Sequence, residues 1–573
     1  MSATRPSVWA PRPERVELVV GDRRHAMERD EGDWWTASAE LAPGTDYAFS
    51  LDGGEPRPDP RSPWQPHGIH GPSRIVDHGA FDWTDAGWQA PPLADAVIYE
   101  AHVGTFTPAG TFEAAIDRLE ALAELGVTHL ELLPVVEFSG DRGWGYDGVD
   151  LFAPHHAYGG PDGLRRLVDA AHARGLAVLI DVVYNHLGPA GNYLAEFGPY
   201  FSDKYSTPWG EAVNFDEAGS HEVRRFVVDN ALTWMRDYHA DGLRLDAMQA
   251  VFDMSAIHIG EEIVSATRAL AEELGRRLVV TAESDLNDPR LVRSPERGGY
   301  GMDAAWADDV HHALHAALTG EVAGYYVDFT DADALPRALC DPYLYDGAYA
   351  PFRDRLHGRP ADEDLAGHRF VACLQNHDQV GNRALGDRIG QLVSEGRARI
   401  GAALLLTSPY VPLLFAGEEW SASTPFRYFT DHADPELGRA ISEGRRAEFA
   451  HFGWDPARVP DPQDPATFEA SRIDWSERDR EPHAGMLAWY RALIALRREQ
   501  PELRDGDRAA VRVTGDSRGL LDVERGRVRV TANLGRTPVE LDLPGRPRLA
   551  WPEKLASNGT ARLPPDGVIV TVR

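Results

Sequence analysis

LAVLIDVVYNH, residues 176–186, is the stretch that decides the fold. From Leu176 to Val183 every residue is apolar except Asp181, and no glycine or proline interrupts the run. Such a segment reads as a strand buried on both faces, the signature of a parallel sheet covered by helices. Just before it, GLRRLVDAAHARG (163–175) gathers Leu164, Leu167, Val168 and Ala171 on one face and stops at Gly175. A helix followed by a buried strand is therefore the local unit.

Working outward, the strand pattern recurs in AVIYEAHV (96–103), VTHLELLP (127–134), GLRLDA (242–247), RLVVTAES (277–284), DAAWADD (303–309), RFVACLQN (369–376) and VPLLFAG (411–417). Amphipathic helices are expected after each run. FEAAIDRLEALAELG (112–126) puts Phe112, Ile116, Leu119 and Leu122 together before Gly126, and EVRRFVVDNALTWMRDYH (222–239) aligns Val223, Phe226 or Val227, Ala231, Trp234 and Tyr238. Eight strands alternating with helices specify an α/β fold, a (β/α)8 TIM barrel. The long intervals after the third and sixth strands predict elaborate loops. The apolar window GAALLLTSPYVPLLFAG (401–417) carries two prolines and is too short to span a membrane, so it reads as a helix end and a buried strand.

Either side of the barrel (91–500) the texture is different. Residues 1–90 show short alternating segments, RVELVV (15–20), DYAFSLDG (46–53) and SRIVD (73–77), among turn residues, which predicts an N-terminal β-sandwich. PRPDPRSPWQPHGIHGPS (56–73) is too rich in breakers for an element and reads as an ordered crossing. After the helix MLAWYRALIALRREQ (486–500), strand texture returns in GLLDVERGRVRVTANLG and VIVTVR, predicting a small C-terminal β-sandwich over 501–573.

The chain of 573 residues has 58 Lys plus Arg against 90 Asp plus Glu, a formal charge of −32. That field repels phosphate backbones and anionic lipid, so nucleic acid and membrane are excluded as partners. Cys340 and Cys373 are the only cysteines, too few for a disulfide scaffold or a four-thiolate zinc site. MSATRPSVWAPRPERVE has no apolar signal region, and a cytoplasmic location is expected.

Barrel enzymes carry their chemistry at the C-terminal ends of strands. Here those ends hold Asp181 with Asn185 and His186, Arg244 with Asp246, Glu283, and Asn376–His377–Asp378. His377 and Asp378 cannot share a face of a regular strand, so the strand must break there for both to reach one pocket. Two carboxyl groups in unlike environments are what glycoside hydrolysis requires, one protonated to donate to the leaving oxygen and one ionised to attack. Arg244 beside Asp246 favours the ionised form there, and Glu283 at the end of an apolar strand suits the acid. Asp181 and His186 resemble half a metal site, but no third ligand has matching spacing, so neither metal nor cofactor is expected. Trp144, Tyr146, Tyr158, Trp209, Trp420, Phe426 and Tyr428 lie near these ends and are candidates for stacking on sugar rings.

DVVYNH (181–186), GLRLDA (242–247), AESD (282–285) and NHD (376–378) resemble, in order and in strand placement, the four signature regions of the α-amylase superfamily, glycoside hydrolase family 13. The resemblance implies a retaining mechanism with Asp246 as nucleophile, Glu283 as general acid/base and Asp378 as the third carboxylate. It implies hydroxyl contacts from Arg244, His186 and His377, a substrate role for Asp181, and stacking by Tyr146 with Trp144 and Trp209 nearby. GWGYDGVDLFAPHHAYGGPDGLRRLVD, YFSDKYSTPWGEAVNFD and FAGEEWSASTPFRYFTDHADPELG extend the likeness to those members that cleave the α-1,4 bond next to the terminal trehalose of maltooligosyl trehalose. A functional pairing with a maltooligosyltrehalose synthase, and a glycan-binding type of N-terminal module, come with it. One departure is AMQAV (247–251), where a histidine is expected near Gln249 on the leaving side. Because trehalose has both anomeric carbons locked, the loop around 417–430 and the loop after the third strand are the candidates for selecting it. Branching or debranching activity within the same superfamily, and an inert glucan-binding barrel, are the alternatives; the intact Asp246, Glu283 and Asp378 disfavour the last.

Overall fold

Ala177–Val182 is a fully buried strand with parallel neighbours on both sides, His129–Leu132 and Gly242–Leu245. In this computed structural model, which describes residues 3–451, 455–543, 545–553, 555–557 and 559–573, those three are part of a closed eight-stranded barrel. Its strands are Ile98–Ala101 (β1), His129–Leu132 (β2), Ala177–Val182 (β3), Gly242–Leu245 (β4), Val279–Ala282 (β5), Ala304–Trp306 (β6), Phe370–Cys373 (β7) and Val411–Phe415 (β8). All pair in parallel and in sequence order, and β8 closes on β1 through Leu413 opposite Ile98. Each coincides with one of the apolar runs.

Most intervals carry the expected helix: Phe112–Leu125 (α1), Gly160–His172 (α2), Ser220–Asp237 (α3), Ile259–Leu274 (α4), Asp308–Thr319 (α5) and Glu395–Thr407 (α6). In α1, Thr111 caps the start by accepting the Ala114 N–H, and Gly126 ends it in the left-handed conformation that its missing Cβ permits. The connection from β5 to β6 departs from expectation. It contains only the short turns Pro289–Leu291 and Pro295–Arg297, because two prolines and Gly298, Gly299 and Gly301 deny that stretch an α-helix. The loops after β3 and β6 are elaborate and each holds a hairpin, 201–213 and 346–358. After β8 comes an inserted helix, Pro435–His451 (α7), and then His483–Glu499 (α8) completes the outer ring.

The N-terminal strands form one antiparallel sheet of seven, six in a continuous path and Ser73–Arg74 off it, pairing with Asp46–Leu51. That module docks through rings and charges rather than presenting them: Trp9 meets Tyr200 edge-on at 5.5 Å, Trp34 lies under Arg61 and Arg225, and Arg61 pairs with Asp229 of α3 at 2.8 Å. Among the described residues, no large apolar side chain before residue 95 is exposed. Beneath the barrel, His172 of α2 is clamped between Asp85, in the segment leading into β1 (2.8 Å), and Asp241 before β4 (2.9 Å). C-terminally, a five-stranded and a three-stranded antiparallel sheet follow the helix. Among the described residues no helix is long and apolar enough to cross a membrane.

Candidate active site

The register of β3 and β4 sets Asp181 directly opposite Arg244. Arg244 is fully buried, and one of its nitrogens, Nη1, donates to both Asp181 oxygens (3.0 and 2.8 Å) and to Asp246 Oδ1 (2.6 Å). Its other terminal nitrogen lies 3.6 Å from Glu283 Oε2, so one guanidinium adjoins both members of the expected catalytic pair. Asn185, four residues beyond Asp181, donates to Asp246 Oδ2 at 2.8 Å. Both Asp246 oxygens are thus occupied as acceptors and the side chain has one orientation. The ring of Trp306 at the end of β6 stacks under the guanidinium, 4.4 Å from its carbon.

Glu283 extends β5 by one residue. The chain after Asp246 turns sharply at Ala247, whose φ of 39° is rare for a residue with a Cβ. That turn aims the Ala247 N–H at Glu283 Oε2, 2.7 Å away. Burial pushes the Glu283 carboxyl well above the ordinary range, Arg244 opposes the shift, and Asp246, Asp308 and Asp378 add to it. The shift favours the protonated form of the group.

At the end of β7 the strand breaks as its sequence requires. Asn376 Oδ1 accepts the Gln379 N–H at 2.8 Å and starts the short helix His377–Gly381. His377 then turns inward and is buried, while the Asp378 side chain stays 42% exposed with its Oδ2 3.5 Å from His377 Nε2. The Tyr146 hydroxyl bridges His377 Nε2 and Asp181 Oδ2, 2.7 Å from each, and the two rings stack. Asp181 is pushed up to about 6, by burial against the pull of Arg244 and with Asp246 adding to the rise.

These groups floor a cleft of about 680 Å³. Of the residues expected from the sequence, Trp144, Tyr146, His186, Trp209, Asp246, Gln249, Glu283 and Asp378 line it. Arg244, Asp181 and His377 lie beneath it, buried, and act on the lining groups. Trp209 is half exposed on the hairpin after β3 and stacks on His186 at 4.8 Å. The Gln249 Oε1 is buried without a hydrogen-bond partner. Three of the candidate rings belong elsewhere: Tyr158 bonds His102, Trp420 packs on Trp475, and Phe426 is core beneath Trp144. Tyr428 does reach the cleft.

His186 and Asp181 do not converge as half a metal site: the His186 Nδ1 faces Asn185 and Asp181 is taken up by Arg244 and Tyr146. Among the described residues, Glu137, His155 and His156 are the one group with converging ligand atoms, and there the carboxylate already bonds both imidazoles (3.1 and 2.6 Å). Tyr325, Gln379, Asn382, Arg383, Arg445 and Glu448, outside the residues expected from the sequence, also line the cleft. The run NHDQVGNR offered a signal, since Gln379, Asn382 and Arg383 follow Asp378 on the same turn and the next.

Residues 80–206 match the family model for the alpha-amylase catalytic domain. The chain is 52% identical to a malto-oligosyltrehalose trehalohydrolase of Arthrobacter ramosus across 98% of its own length and 97% of the relative's. To the enzyme of that name from Rhizobium sp. (strain M-11) it is 49% identical, covering 99% and 96%. A crystal structure of a putative alpha amylase from Salmonella typhimurium superposes with a TM-score of 0.92 at 40% identity, over 100% of this chain and 97% of that one. With identity of that order sustained over nearly its whole length, the chain belongs to the malto-oligosyltrehalose trehalohydrolase family within the alpha-amylase enzymes.

Proposed function

We propose that the protein is a retaining glycoside hydrolase that cuts the α-1,4 bond next to the terminal trehalose of maltooligosyl trehalose, releasing trehalose and a maltooligosaccharide. The observation that carries the chemistry is the sharing of Arg244 between Asp246 and Glu283 at the cleft floor. Asp246, oriented by Arg244 and Asn185, attacks the anomeric carbon while Glu283 protonates the departing oxygen of trehalose. The glycosyl–Asp246 ester is then opened by water, whose proton returns to Glu283. Asp378, exposed to the cleft, grips ring hydroxyls, and Tyr146 stacks on the sugar being cleaved. Arg244 itself touches no sugar in this scheme, and Asp181 supports it from below.

Substrate choice rests on the family membership together with the rim. Trp209 and His186 from the loop after β3, Gln249 with its free acceptor, and Tyr428 from the loop after β8 surround the floor. We assign trehalose to the side flanked by Trp209 and Gln249. A substrate ending in trehalose must itself be made by an enzyme that isomerises a glucan reducing end, which is the functional pairing with a synthase. The free thiols Cys340 and Cys373 suit a reducing cytoplasm. The test is product analysis on maltopentaosyl-trehalose. Trehalose and maltopentaose in equal amounts, with no new α-1,6 branch points, is the expected result. New branches, or hydrolysis confined to branched glucan, would assign the chain to the sibling activities.

A further inference from the structure

The reaction scheme leaves two acids of the barrel floor, Glu100 and Glu131, without a task. Glu100 sits within β1, fully buried, and lies opposite Glu131 of β2 in register. A carboxylate inside an apolar strand is destabilising unless it is paired. Glu100 commits both oxygens to one residue: Oε2 accepts the backbone N–H of His377 at 2.8 Å, and Oε1 meets His377 Nδ1 at 2.6 Å. On the far edge of the ring, Nε2 meets the Tyr146 hydroxyl.

The hydrogens on this path have a forced direction. A hydroxyl has one hydrogen to give. Asp181 accepts from Arg244 on both oxygens, and above about pH 6 it takes the Tyr146 hydrogen as well. The contact at Nε2 must then draw its hydrogen from the imidazole. We propose that Glu100 is a positioning residue that anchors His377 through Nδ1, so that Nε2 keeps a hydrogen, the Tyr146 hydroxyl is turned to Asp181, and a donor stands beside Asp378. This rests on the Asp246–Glu283 reading of the cleft. It makes Glu100, His377, Tyr146, Asp181, Arg244 and Asp246 one path whose links are 2.6–2.8 Å.

The other charged groups around the ring leave Glu100 as its counter-charge from below. Burial and the nearness of Glu100 push Glu131 far up, which favours its neutral form. His102 is pushed down to about 4 by burial and adds no competing charge. Arg244 opposes a charged His377; burial opposes it more strongly still, and Asp378 and Glu100 overcome both and hold the ring up to about 9.

The first arm of the test reads the ring directly and needs no substrate, so its outcome is separate from the trehalose assignment. In protein labelled with ¹⁵N-histidine, the His377 resonance, identified by its loss in His377→Gln, carries hydrogens on both nitrogens at pH 7.5. In Glu100→Gln the glutamine oxygen still accepts from Nδ1 without supplying charge, and the Nε2 hydrogen is lost at that pH. Reducing-sugar release from any α-1,4-glucan then falls about tenfold to a hundredfold in kcat at pH 7.5, with partial recovery below pH 6 and a smaller change in KM. Glu100→Asp keeps the charge and lies between. A bare Nε2 in the unaltered protein overturns the proposal. So does a Glu100→Gln ring that keeps both hydrogens, or a pH profile that does not move. Should Glu100→Gln fail to fold, the ring state of the unaltered protein and the pH profile of Glu100→Asp decide.

Discussion

Replacing Glu283 by glutamine separates its catalytic role from its electrostatic one, and the two predict opposite signs in different assays. Glutamine keeps the length of the side chain, and its carbonyl oxygen can still accept the Ala247 N–H that Glu283 Oε2 holds at 2.7 Å. What disappears is the proton delivered to the leaving oxygen. General-acid contributions of ~10²–10⁴ set the expected loss in kcat on maltopentaosyl-trehalose at roughly a thousandfold, about 4 kcal/mol of barrel-side stabilisation of the transition state. Stability should move the other way. Glu283 is held well above its ordinary 4.5 in the fold. A raised folded value means that its favourable contribution is complete below 4.5 and is lost as pH rises, at about 1.4 kcal/mol per pH unit while the group stays protonated. A neutral amide removes that penalty, so the variant matches the unaltered protein near pH 4.5 and exceeds it in thermal stability at pH 7. A maltooligosyl fluoride, whose leaving group needs no proton, should still react and leave its glycosyl group on Asp246, visible in the mass of the intact protein. Retention of most activity on the natural bond would refute the assignment of the acid. A loss of about 3–5 kcal/mol in stability at neutral pH would refute the neutral state, because that is the cost of breaking a buried ion pair with Arg244.

Trp209→Ala removes a half-exposed ring that touches His186 and should raise KM about tenfold with little change in melting temperature, read from initial rates and scanning calorimetry. Asp85→Asn opens the clamp under the barrel. His172 is raised by Asp241 and Asp85 against burial, and its contribution is lost as pH rises beyond its ordinary 6.5 and through the raised value. Asp85 is lowered by His172 and His239 against burial, and its contribution is lost as pH falls below 3.8. The drop in melting temperature for the variant should therefore be largest between about pH 4 and 6.5 and shrink toward alkaline pH. Trp34→Ala, which frees Arg61 and Arg225 at the junction with α3, should lower stability by about 1–2 kcal/mol in denaturant titrations while leaving KM for glucan unchanged.

The barrel was legible because its strands are apolar runs bounded by turn residues, and because each polar exception within or after a run marks the cleft. Asp181 in LAVLIDVV and Arg244 in GLRLDA are anomalies in otherwise buried strands, and the structure joins them through one guanidinium. Glu100 and Glu131 are anomalies of the same kind, each next to last in its strand as Asp181 and Arg244 are, yet they lie outside the residues expected from the sequence. Rings were harder. Trp420 and Trp209 both follow barrel strands, yet one is sealed against Trp475 and the other is half exposed, and nothing in local composition says which way a ring turns. The roof of the cleft was illegible for a different reason. Arg445 belongs to α7, an ordinary charged helix by sequence, and meets the Gly381 carbonyl at 2.6 Å only through a contact 64 residues distant.

The floor of the cleft sets a condition that explains why these residues come as a set. Six carboxyl groups, Glu100, Glu131, Asp181, Asp246, Glu283 and Asp378, surround two cations, Arg244 and His377. Six charges against two, with only Asp378 open to solvent, would be prohibitive. The excess is removed by neutralising the groups that lack close cationic contacts: Glu131 has an oxygen with no partner at all, and Glu283 reaches Arg244 only at 3.6 Å. Asp246, by contrast, is 2.6 Å from the same guanidinium. In the proposed scheme the division between attacking carboxylate and protonated acid follows from burial of Glu283 together with its longer reach to Arg244, 3.6 Å against 2.6 Å for Asp246. Any change that adds a cation there, such as Gln249→Lys, should lower the Glu283 value, shift the alkaline limb of kcat to lower pH, and weaken the acid before it disturbs the nucleophile.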